Sequence, residues 1–101
     1  MPVEPLSQKE IDDRLAELPG WSLDGDRIAR SYRLASHFAA AALVVHIAQV
    51  QEELGHHSDL ALGYNTVSLT VNTHSAGGAV TDLDFQLARR VEDLAPGHGA
   101  S

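Results

Sequence analysis

Residues Leu60–His74 read LALGYNTVSLTVNTH, and the second half of this stretch decides the fold. Val67, Leu69 and Val71 alternate with Ser68, Thr70 and Asn72, the two-residue period of a strand with one buried face and one wet face. Gly63, Tyr64 and Asn65 sit where such a strand must have turned back, so the stretch is expected to form a hairpin. Upstream, WSLDGDRIARSYRL repeats the plan around Asp24-Gly25, a hairpin-type dipeptide. Trp21 and Leu23 share a face of its first strand, while Ile28, Tyr32 and Leu34 share a face of its second, interrupted by Arg30.

Helices separate the two hairpins. Ser36 suits the N-cap of a long helix reaching about Leu54, with Leu43, Ile47, Val50 and Leu54 as its apolar stripe and Gly55 at the left-handed position after its end. Ala39 to Ala42 permit close approach, either to the rest of the monomer or to a second copy. Ser7-Gln8-Lys9-Glu10 has the form of a capping box and opens a helix expected over about 8–18, which Pro19-Gly20 stops. Beyond the Leu60–His74 hairpin, HSAGGAV reads as a flexible loop. Thr81-Asp82-Leu83-Asp84 then starts a last helix with Leu83, Leu87, Val91 and Leu94 along one side. The order αββαββα predicts an α+β fold, a four-stranded antiparallel sheet with three helices packed on one face.

Composition narrows the function. The 101 residues read as a single domain, 1–101, with an ordered core over about 6–95 and a frayed APGHGAS tail. A chain this long buries roughly two-thirds of its unfolded surface, enough for one modest core. The absence of cysteine excludes disulfides, iron–sulfur clusters and thiolate zinc sites, and fits the expected cytoplasmic location. A net charge of −7, with only Arg89-Arg90 adjacent among the basic residues, argues against direct nucleic-acid contact. FAAAALVV is too short for a bilayer span, and MPVEPLSQKE lacks the character of a signal peptide, so no membrane association is expected.

The chemistry concentrates in EELGHHSD, Glu52–Asp59, and in NTHSAGG, Asn72–Gly78. Adjacent helical residues point about 100° apart, so His56 and His57 do not chelate one ion from within a helix, and the i, i+4 pair of zinc proteases is absent. A metal site would need one of them together with His74 and a carboxylate; none is expected. Acid–base chemistry fits better, because imidazole gives and takes protons near neutrality. Glu52, four residues before His56, is placed to orient that ring if the helix continues. No GxGxxG, P-loop or GxSxG accompanies the histidines, so the expected chemistry uses no cofactor. Read singly, each residue has an ordinary explanation. His56 and His57 suit the negative end of a helix dipole, Asp84 suits a helix cap, and His74 follows the polar face of its strand.

Together they form a pattern. Glu52-x-x-x-His56-His57-Ser58, five residues, Tyr64, nine residues, His74, nine residues and Asp84 closely resembles the signature of the pterin-4a-carbinolamine dehydratase family. The flanking LPGWSLDGDRIARSYRL, GYNTVSLTVNTHSAGG and TDLDFQLARRVE are similar too, so the likeness runs from about Leu6 to Leu94. The resemblance implies the same αββαββα fold, in dimers or tetramers. It implies dehydration of 4a-hydroxytetrahydropterin to quinonoid dihydropterin and water, which recycles the cofactor of aromatic amino acid hydroxylases. By resemblance, His56 and His74 transfer protons, and His57 contacts the pterin and shares in the transfer. Asp84 orients His74 and Glu52 orients His56, while Ser58, Thr73 and Ser75 bind the pteridine edge. Ser58 departs from the family's commonest residue there, proline, and frees a backbone amide. Members of the family also act as interaction proteins, including dimerisation partners of transcription factors and assembly factors, which leaves a non-enzymatic reading open. A hydrolase or isomerase using the same groups on another substrate is a third.

Overall fold

The computed structural model describes residues 4–101. Its elements run α1 (Gln8–Leu15), β1 (Ser22–Asp24), β2 (Arg27–Arg33), α2 (His37–Leu54), β3 (Asp59–Leu62), β4 (Thr66–Val71) and α3 (Asp82–Leu94). Short 3-10 turns follow at His74–Ala76 and Ala95–His98. The four strands form one antiparallel sheet in the order β1-β2-β4-β3.

The period-two pattern of β4 sets the layers. Val67, Leu69 and Val71 face the helices and are essentially buried, as are Ile28 and Tyr32 on β2, which pair with Val71 and Val67. On the opposite face Ser31 and Ser68 pair and join hydroxyls at 2.9 Å, leaving that side polar and wet. Leu43 and Ile47 from α2 and Phe85, Leu87 and Val91 from α3 complete the core, with Ile11 and Leu18 from the α1 region at its margin. Phe85 is fully buried, while Leu83, expected on the inner stripe, is half-buried.

Three local expectations need correction. Helix α1 stops at Leu15, not Leu18. Bonds from the Glu17 and Leu18 amides to the Arg14 and Leu15 carbonyls, three residues back, tighten the chain into a turn that still buries Leu18. Arg30 does not disrupt the inner face of β2. Its guanidinium lies 4.1 Å from the centre of the Tyr32 ring and its Nε–H donates to Glu92 on α3 at 2.9 Å. The tail is not frayed either, because Ala95 is buried and Ser101 exchanges two backbone hydrogen bonds of 3.0 Å with Arg33.

Among the described residues no helix is long and apolar enough to cross a membrane. Glu92 joins helix to sheet. Its Oε1 accepts from the Trp21 indole at 2.8 Å, from Arg30 and from the Tyr32 hydroxyl at 2.5 Å. Burial alone would raise the Glu92 carboxyl. The hydrogen bonds from Tyr32, Arg30 and Trp21 outweigh it and hold the group below its ordinary value.

Candidate active site

The end of α2 and the end of β4 meet at one side of the sheet. Gly55 closes α2 in the left-handed conformation, φ 64°. The His56 amide reaches back to the Gln51 carbonyl at 3.1 Å, the six-to-one bond of a Schellman closure. This reversal turns His56 inward and leaves His57 outside; the helix does not continue past Leu54, so neither imidazole occupies a helical face. Gln51, buried on the inner face of α2, accepts from both the amide and the hydroxyl of Ser58 and clamps the following turn.

At the other side His74 opens the HSAGGAV segment. That segment is a tied turn, not a loose loop. The Thr73 amide donates to Ala79 at 2.9 Å, and the Thr73 carbonyl accepts from Ala76 and Gly78. Gly77 and Gly78 take φ of 73° and 82°, which a side chain would resist.

His56, His57 and His74 together line one cleft of about 290 Å³, with Gly55, Asn72, Thr73 and Ser75. Larger clefts beside α3, of about 320 and 410 Å³, are lined mainly by charged side chains such as Arg14, Arg89 and Asp93 and hold no imidazole. Ser58 and Glu52 do not line the histidine cleft, and the Thr73 hydroxyl is engaged by Asp84 rather than offered to it.

Each carboxylate pairs with a histidine other than the one expected. Asp84, expected beside His74, bonds His56 instead, Nε2 to Oδ1 at 2.5 Å, in a contact where Asp84 is 0% exposed. Glu52, expected beside His56, stands 3.4 Å from His57 Nε2 on the surface. His74 is exposed and forms no ion pair among the described residues. The other Asp84 oxygen, Oδ2, accepts from the Thr73 hydroxyl at 2.9 Å and the Thr81 amide at 2.8 Å. No buried side-chain nitrogen or oxygen among the described residues lacks a partner. His56 Nδ1 has no protein partner among the described residues and is not a buried atom, so it is open to solvent on a residue that lines the cleft. Among the described residues no three His, Cys, Asp or Glu side chains are grouped to hold a metal ion.

Sequence reasoning missed Asn72, Gln51 and Thr81. Gln51 had a signal, since it falls beside Ile47 and Val50 on the inner stripe of α2. Asn72 shares the strand phase of His74, two residues on.

The profile of the pterin 4 alpha carbinolamine dehydratase family matches residues 4–94. The chain belongs to that family. Relatives provisionally named pterin-4-alpha-carbinolamine dehydratase include one from Streptomyces avermitilis, 89% identical over all 101 residues of both chains. Another, from Chloroflexus aurantiacus, is 45% identical over 88% of this chain and 95% of its own. A solved structure from Brucella Melitensis, described as a transcriptional coactivator/pterin dehydratase, superposes with a TM-score of 0.84 at 33% identity, covering 90% of this chain and 98% of that one. A pterin dehydratase-like RuBisCO assembly factor of the alpha-carboxysome shares the fold, with a TM-score of 0.60 at 21% identity over 74% of this chain and 86% of that one. Among these pterin dehydratase relatives, the α+β architecture read from the strand and helix periods is the common frame.

Proposed function

We propose that this protein dehydrates 4a-hydroxytetrahydropterins to quinonoid dihydropterins and water, by acid–base chemistry among its histidines. The observation that carries the reading is the convergence of three imidazoles on one cleft, with His56 backed by a buried carboxylate. The elimination breaks the C4a–oxygen bond as N5 loses its proton and the C4a–N5 double bond forms. It needs a base for N5 and an acid for the departing hydroxyl.

His56 suits the base. Asp84 is an acceptor when ionised, so Nε2 carries the hydrogen of that bond and Nδ1 is left as a free acceptor toward the cleft. His74, exposed on the same cleft and without an ion pair among the described residues, suits the acid that protonates the leaving hydroxyl. His57, steadied loosely by Glu52, contacts the ring, and Ser75 with the adjoining backbone holds the pteridine edge. Each positioned proton-transfer group supplies roughly 10²–10⁴-fold.

The test generates the 4a-carbinolamine with a pterin-dependent hydroxylase and follows the decay of its ultraviolet absorbance. The wild-type protein is expected to accelerate the decay, and His56→Ala and His74→Ala to lose about 10²-fold or more. A decay rate that the wild type leaves unchanged would overturn the reading.

A second reading concerns assembly. Phe38 and Val45, one heptad apart on α2, are 84% and 70% exposed, an apolar stripe suited to a second copy of this chain. Sedimentation is expected to show a dimer or tetramer that Phe38→Asp weakens; a wild-type monomer at high concentration rules this out.

A further inference from the structure

The described residues contain two capping boxes, and they differ in a way that capping does not explain. At α1, Ser7 accepts from the Glu10 amide at 3.2 Å and the Ser7 amide donates to Glu10 at 3.0 Å; both residues are exposed, and neither side chain makes a further hydrogen bond among the described residues. At α3, the box of Thr81 and Asp84 is completely buried. Its carboxylate also bonds Thr73, from the end of β4, and His56, from the end of α2. A helix start needs neither of these partners.

The directions of the hydrogen bonds follow from counting protons. Thr73 has one hydroxyl hydrogen, and its bond to Asp84 Oδ2 at 2.9 Å consumes it. In the 2.7 Å contact between the two threonine hydroxyls, Thr81 is therefore the donor and Thr73 the acceptor. Thr81 Oγ1 accepts in turn from the Leu83 amide at 3.2 Å. Oδ2 thus receives two donors, Thr73 Oγ1–H and Thr81 N–H, which match an ionised carboxylate. Only Oδ1 remains, and it faces His56 Nε2.

We propose that Thr73, supported by Thr81, is a positioning residue that keeps the His56 proton on Nε2 and Nδ1 bare. It acts through Asp84 and touches no substrate with its side chain. Without the Thr73 hydroxyl, Oδ2 loses one of two donors in a dry site. The proton between Oδ1 and Nε2 is then free to sit on Asp84 while the imidazole takes up a replacement proton from solvent on Nδ1, and so loses its acceptor toward the cleft. The catalytic part of this inference rests on the dehydratase reading; the tautomer part does not.

The experiment reads the ring nitrogens of His56 by proton–nitrogen NMR on the full chain near neutral pH, beside the turnover assay. The wild type is expected to show one tautomer, Nε2–H, with a slowly exchanging proton. Thr73→Val is expected to give a mixture with Nδ1–H and a kcat lower by about tenfold or more at unchanged KM, since a wrong tautomer in a carboxylate–histidine pair is costly. Thr73→Ser is expected to restore both. Thr81→Val removes the α3 cap, so it is expected to lower the melting temperature while the Thr73–Asp84 bond keeps the Nε2–H tautomer. Should Thr73→Val not fold, Thr73→Cys, a near-isostere with a weak donor, is expected to show the mixture in part. A single unchanged Nε2–H tautomer in the folded Thr73→Val or Thr73→Cys protein overturns the proposal. If the wild type fails to accelerate dehydration, the functional reading falls, while the ring spectra still decide the positioning of His56.

Discussion

His56 and His57 share a peptide bond, and one turn of backbone gives them opposite environments: His56 is 9% exposed against Asp84, while the His57 side chain is 57% exposed beside Glu52. The two carboxylates should therefore be unequal under substitution. Asp84→Asn places an amide in a fully buried site that supplies three donors to one carboxylate. The expected cost is about 1–3 kcal/mol in urea unfolding, with turnover reduced roughly 10²-fold or more. Glu52→Gln alters a long, exposed contact and is expected to change stability by less than about 0.5 kcal/mol, with a small effect on turnover. The types and spacing of these residues were legible in the sequence, and their pairing was not. Assigning Glu52 to His56 assumed a helix running through both. Gly55 ends it, and the true partner lies 28 positions away, on α3.

At the scale of elements, periodicity carried the reading. The alternation in Thr66–Val71 and the stripe through Leu43, Ile47 and Val50 correspond to the buried faces observed. Ends were harder, because they depend on tertiary hydrogen bonds. Composition described the HSAGGAV segment as loose, but its bridge between Thr73 and Ala79 depends on where β4 stops. The same holds for the tail, whose docking needs an open stretch of β2 at Arg33 that no local pattern announces. Gly55 is the end that matters most. A Cβ there meets nothing within 4 Å, so Gly55→Ala isolates the cost of φ 64° for an L-residue. That substitution is expected to destabilise the protein by about 1–2 kcal/mol in thermal or urea unfolding. Turnover should also fall, since relaxing the turn redirects both histidines.

Over the whole molecule, Glu92 ties β2, the approach to β1 and α3 together through Tyr32, Arg30 and Trp21. Its carboxyl is held below its ordinary value of 4.5 in the fold, so the stabilisation is fully present above that pH. It is lost as pH falls through the lower, folded value. Asp82 adds to the same acid dependence, lowered by hydrogen bonds from Gln86 and Arg14. Urea unfolding followed downward from pH 4.5 should show falling stability. Glu92→Gln should be less stable at neutral pH, by about 1–3 kcal/mol, and show a shallower fall in acid. An equally steep decline in the variant would place the acid sensitivity elsewhere.

Trp21 is the one tryptophan in the chain, and its indole is bonded to Glu92, eight residues and about 12 Å along α3 from Asp84. The single indole thus stands at the far end of the rod whose near end braces the imidazole cleft. Its emission will register whether that rod is seated.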